Sequence, residues 1–149
     1  MFIQLLVGGI VSIVNITIHS LVMSAVVRVS RRASAKRTRH PSLRLTSVMI
    51  ATVLVLMGAH VIEVLVWSFA YQLTNAAPTG AHLLYFAFVN YTTLGYGDIT
   101  PVKDWELLGP FAAMNGVILF GWSTAVIFAV LQRTMETAEG EPRHDGSRQ

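Results

Sequence analysis

The chain of 149 residues has no cysteine, so disulfides, zinc–thiolate sites, iron–sulfur clusters and thiol catalysis are all excluded. Charge is scarce as well. Asp, Glu, Lys and Arg make up 13% of the residues, about half the share of an ordinary soluble domain. Hydrophobic residues make up 53%, and a water-soluble domain this small would leave much of that surface exposed and aggregate. The composition therefore places the chain in a membrane. The net charge of +3 is no argument for nucleic acid, because the basic residues are clustered. No Ser-His-Asp, P-loop or dinucleotide motif supports catalysis.

What is present is three long runs almost free of charge. Met1–Val27 and Leu107–Gln132 carry no Asp, Glu, Lys or Arg, and Leu45–Tyr71 carries only Glu63. About 20 helical residues cross a hydrocarbon core of about 30 Å, so each run is long enough to span. The stretch 72–102 differs: it is cut by Pro78, Gly80, Gly95, Gly97 and Pro101, and its apolar part, Ala81–Tyr91, is too short to cross. A short helix beside a Gly-rich loop fits a re-entrant element. Seven of the eleven basic residues, Arg28, Arg31, Arg32, Lys36, Arg37, Arg39 and Arg44, fall between the first two runs with no acid among them. That loop is expected in the cytoplasm, which puts the N-terminus and the 72–102 stretch outside and the C-terminus inside. The arginines follow the first run rather than precede it, so it reads as an uncleaved span. The loop is also a candidate surface for anionic lipid headgroups.

The most specific segment is Thr92-Thr93-Leu94-Gly95-Tyr96-Gly97-Asp98. Alternating glycines let the backbone visit positive φ, so that consecutive carbonyls point the same way instead of to opposite sides as in a strand. One row of carbonyls becomes stable when a cation sits between several such rows. Symmetric copies must then supply the other rows.

TTLGYGD resembles the selectivity filter of potassium channels, and the order span, short helix, filter, span resembles their pore domain over about Leu45–Leu131. The resemblance implies an all-α transmembrane fold: three spanning helices plus a re-entrant pore helix and filter loop, assembled as a fourfold-symmetric homotetramer. It implies passive conduction of K+, with Thr93, Leu94, Gly95 and Tyr96 supplying carbonyls, Gly97 at the rim and Asp98 at the outer mouth. The Tyr96 ring is expected to pack among Tyr85, Phe86 and Phe88. Leu94 replaces the usual valine or isoleucine. Val89 stands where some relatives carry an acid that clamps the outer aspartate. The expected divisions are an extra transmembrane helix over 1–27, a basic cytoplasmic loop over 28–44, a pore domain over 45–132 and a cytoplasmic tail over 133–149, disordered beyond about Thr137. The expected location is the plasma (inner) membrane.

Glu63 is an ionisable group inside a span and needs a partner. The resemblance suggests a brace that accepts amides at the filter's outer end. Proton sensing, or a metal site with His60 and His82, are the alternatives. His19 reads as a helix-packing polar group, like Asn15 and Thr17. In the last span Val117, Phe120, Thr124 and Phe128 recur at three or four residues and are expected to line an inner cavity, or else to pack on neighbouring helices. Gly116 lies near the family's hinge glycine. No span carries arginines at every third position, so a voltage sensor has no residues to work with. Three other readings stay open: a weakly selective cation channel, a non-conducting membrane adaptor, and a histidine-based metal transporter or intramembrane enzyme using His19, His60, Glu63 and His82.

Overall fold

The computed structural model describes residues 1–34 and 40–139. Three long helices, α1 (Phe2–Ser34), α2 (Pro41–Thr74) and α4 (Leu108–Glu139), form a bundle into which the short helix α3 (Leu83–Tyr91) is inserted. No strand occurs among the described residues. All three long helices have the length and apolarity to cross a membrane. Each exceeds the charge-free run that foretold it, because a helix need not stop where the hydrocarbon stops. α1 continues through Arg28, Arg31 and Arg32, and the expected tail is helical as far as Glu139. Lys36, Arg37 and Arg39, and the tail beyond Glu139, lie outside the described residues.

Local chemistry sets the ends. Pro41 occupies the first turn of α2, where its missing N–H costs nothing. Asn75 closes α2 in the left-handed conformation at φ 52°, and the Ala76 amide donates back to the Tyr71 carbonyl at 3.1 Å. Gly80, at φ 83°, turns the chain toward α3. Pro110 falls in the first turn of α4, where it is tolerated.

α1 and α4 run parallel and α2 antiparallel to both. At one end the Gln4 side chain accepts the Leu107 amide at 3.0 Å; at the other, Met23 and Val26 meet Val126 and Val130. The larger apolar core, around Trp67, Tyr71, Phe86 and Leu108, sits beside α3. Between the two cores lies a polar layer in which Asn15, His19, Glu63, Asn115 and Ser123 are all buried. Asn15 Nδ2 donates to the Asn115 side chain at 3.0 Å and to the Glu63 carbonyl at 3.2 Å, and the Trp67 indole donates to Asn115 at 3.1 Å.

Helices in lipid gain little from hydrophobic burial against one another, so close approach and polar pairs hold them. Gly8 provides the approach between α1 and α4. A Cβ there would stand 2.7 Å from the Phe111 ring, whereas one on neighbouring Gly9 would meet nothing within 4 Å. Gly8→Ala is therefore expected to destabilise the bundle by about 1–3 kcal/mol, read as a lowered melting temperature of the detergent-purified protein, with Gly9→Ala close to wild type.

Candidate functional site

α3 ends by feeding its last carbonyls to the loop that follows. The Phe88 carbonyl accepts the Thr92 amide at 2.9 Å and its hydroxyl at 2.7 Å, Asn90 accepts the Thr93 amide at 3.0 Å, and Val89 accepts the amides of Leu94 and Gly95 at 3.0 and 3.3 Å. Three of the last four carbonyls of α3 are thus satisfied by one segment. That segment adopts a regular alternation: Thr93, Gly95 and Gly97 have φ of 60°, 58° and 77°. Thr93 is β-branched, so its left-handed backbone stores about 1–3 kcal/mol of strain, which the amide bonds to α3 must hold in place. Thr92 through Asp98 are all exposed in the single chain. Among the described residues, none of their carbonyls accepts a hydrogen bond.

Asp98 takes the Tyr85 hydroxyl at 2.8 Å, a partner not foreseen from the sequence. The hydrogen bond to this carboxylate holds the Tyr85 phenol above its ordinary range. Tyr96 is 66% exposed within one chain, and Phe86, one of its expected neighbours, is buried against Tyr71, with ring centroids 4.8 Å apart.

Behind α3 lies the polar layer, centred on Glu63. Its Oε1 faces Nδ1 of His19 at 2.7 Å, its Oε2 faces Nδ1 of His60 at 2.9 Å, and the Tyr91 hydroxyl also donates to Oε2. Nε2 of His60 lies 2.9 Å and Nε2 of His19 3.4 Å from the Ser123 hydroxyl. Three expectations change here. Glu63 does not reach the amides of the filter-like loop, because Tyr91, the last residue of α3, stands in the way and takes the carboxylate itself. His19 is a direct partner of Glu63 rather than a general packing group. His82 begins α3 and does not join His60. The nitrogens and oxygens of His19, His60 and Glu63 lie within 4.8 Å of one another, yet both carboxylate oxygens already accept hydrogen bonds, so the arrangement is a hydrogen-bonded ring.

α4 passes against the end of α3. A Cβ on Gly116 would overlap the Tyr91 carbonyl, so this glycine is required for steric reasons, and α4 is helical on both sides of it. Val117, Thr124 and Phe128 share one exposed face. Phe120 does not join them: at about 100° per residue it lies about 60° around the helix from that line, and it covers the polar ring, 4.6 Å from His60 and 5.4 Å from Tyr91 between centroids. The signal for Tyr91 was available in the sequence, since a tyrosine ending a buried helix needs a hydroxyl partner.

The model of a family described as ion channel (Ion_trans_2) matches residues 50–133, more than half of the chain, and the chain belongs to that family. No curated protein and no solved structure matches. The matched region holds α3, the loop with alternating φ and Glu63, and it begins after α1.

Gly116→Ala is expected to force α3 and α4 apart and lower the yield of folded protein. Gly121→Ala, where a Cβ would meet nothing within 4 Å, is expected to leave yield unchanged; size-exclusion profiles of the two variants check this.

Proposed function

We propose that this ion channel is selective for potassium, and that four copies of the chain surround one conducting path. The observation that carries the reading is the 92–98 segment: a TTLGYGD sequence with left-handed backbone at every second residue and carbonyls without partners among the described residues. Such a row offers dehydrating oxygens for a cation but encloses it only when repeated by symmetry. The exposure of Leu94 and Tyr96, at 55% and 66%, supports assembly, since apolar groups at the mouth of a channel need covering.

In this reading the carbonyls of Thr93, Leu94, Gly95 and Tyr96 replace the water of K+, the Thr93 hydroxyl closes the row on the cavity side, and Gly97 forms the rim. Asp98, oriented by Tyr85, raises the local cation concentration at the outer mouth. Val117, Thr124 and Phe128 line the inner cavity. Glu63 supports the filter indirectly, through Tyr91. Conduction is passive and independent of a voltage sensor. The chain sits in the plasma (inner) membrane with its N-terminus outside, and Arg28, Arg31 and Arg32 at the exposed end of α1 meet anionic headgroups of the cytoplasmic leaflet.

Purified protein in a planar bilayer, with potassium on one side and sodium on the other, is expected to reverse near the potassium equilibrium potential. Gly95→Ala puts a side chain at φ 58° and is expected to abolish conduction or selectivity, as is Tyr96→Ala. A wild-type reversal near zero overturns selectivity, and unchanged selectivity in both variants overturns the filter assignment.

A further inference from the structure

We propose that the ring of His19, Glu63, His60 and Ser123 is a binding site for a single proton, and that this proton fastens the end of the pore helix α3 to all three spans. The effect on conduction rests on the channel reading above; the proton site itself rests on the ring alone.

The count follows from donor and acceptor chemistry. An ionised carboxylate only accepts, so Nδ1 of His19 and Nδ1 of His60, at 2.7 and 2.9 Å from Glu63, both carry hydrogen, while the Tyr91 hydroxyl, also 2.9 Å from His60 Nδ1, gives its hydrogen to Oε2; the other His60 tautomer would turn an Nδ1 lone pair toward the carboxylate and leave its charge uncompensated. The two Nε2 atoms converge on one hydroxyl, Ser123, at 3.4 and 2.9 Å. That hydroxyl has one hydrogen to give. With both imidazoles neutral, two acceptors compete for it, one is left facing an oxygen lone pair, and the negative charge of Glu63 is uncompensated. One added proton on the second Nε2 donates to Ser123, Ser123 donates to the first, every nitrogen and oxygen of the ring is paired, and the net charge is zero. A second added proton leaves two donors facing Ser123, whose own hydrogen loses its acceptor, and puts two cations in rings 5.3 Å apart. Single occupancy alone is both neutral and fully hydrogen-bonded.

Among the described residues nothing else nearby can supply the missing charge. α1 contributes only His19, with neutral Asn15 one turn away. α2 contributes His60 and Glu63, α3 the Tyr91 phenol, and α4 Ser123 with the rings of Phe120 and Trp122. The spans carry no other charged residue over 1–27, 45–74 and 107–132. A divalent cation in the proton's place would leave the apolar bundle with a net charge of +1 and would displace donors from Glu63.

Tyr91 transmits the state of the ring. It donates to Glu63, its ring lies 6.1 Å from that of His60, and its carbonyl rests on Gly116. Two residues later comes Thr93, with the strained backbone that opens the row of carbonyls. When the proton leaves, the ring carries an unpaired nitrogen and an uncompensated charge, and the anchor of α3 loosens.

The test uses the full-length purified protein between about pH 5 and about pH 8, with two readouts: melting temperature in detergent and potassium current in bilayers. In the wild type the melting temperature is expected to fall by about 3 °C or more as pH rises, and the current to fall roughly fivefold or more at the same midpoint. Glu63→Gln, neutral beside two neutral imidazoles, is expected to flatten both profiles. So is the double variant His19→Gln/His60→Gln, which has no imidazole in the ring to titrate and serves if Glu63→Gln does not assemble. A flat wild-type melting profile, or an unchanged pH dependence in either variant, overturns the proton site. So does Zn2+ that raises the melting temperature of the wild type but not of the double variant, because the ring is then a metal site. A melting transition with a current that ignores pH overturns the coupling to α3. A melting transition removed by the variants, with no potassium current at any pH, upholds the proton site and sinks the potassium reading instead.

Discussion

A carboxylate buried among apolar helices in lipid cannot be left alone, and the neighbourhood of Glu63 is organised by that requirement. Each surrounding element gives it something: α1 gives His19, α2 itself gives His60, and α3 gives the Tyr91 hydroxyl. α4 closes the ring from the far side with Ser123. The helices must therefore meet at one depth and in one rotation. Asn15, Asn115 and Trp67 repeat the device nearby with neutral groups. Because lipid rewards helix contact so weakly, these polar pairs and the close approaches at Gly8 and Gly116 decide the packing more than the apolar side chains do.

The same requirement joins the hidden part of the chain to the part that faces ions. Tyr91 belongs to both, as a ligand of Glu63 and as the residue from which the chain turns into the loop. The loop gives the amides of Thr92, Thr93, Leu94 and Gly95 to α3 while its carbonyls accept nothing among the described residues, a division of labour that fixes the backbone and leaves one row of oxygens available. Strain at Thr93 is tolerable because the amides on either side of the turn are tied to a helix that is itself tied down.

Much of this was legible in the sequence. The spans follow from charge-free runs, because the hydrocarbon enforces them, and the re-entrant helix follows from a run too short to cross and bounded by proline and glycine. The loop announced itself through its alternating glycines. The helix ends were less legible, since α1 continues into its arginines once past the lipid. Least legible were the partners of Glu63. His19 is 44 residues away and Tyr91 is 28, and periodicity within one helix says nothing about which neighbour faces it. Phe120 shows the limit of face counting: spacing of three or four residues grouped it with Val117 and Thr124, yet the need to cover a polar ring turned it inward.

The long sequence separations also bear on how the protein is made. Gln4 finds its partner 103 residues later, Asn15 finds Asn115 after 100, and His19 finds Ser123 after 104. α1 leaves the ribosome with these three buried polar side chains and no partner yet made to receive them. At about 5–20 residues per second, it waits some seconds in the translocon or the bilayer before its last partner arrives. Completion of the bundle is thus a late event in biosynthesis, and the helix synthesised first is among the last to be locked.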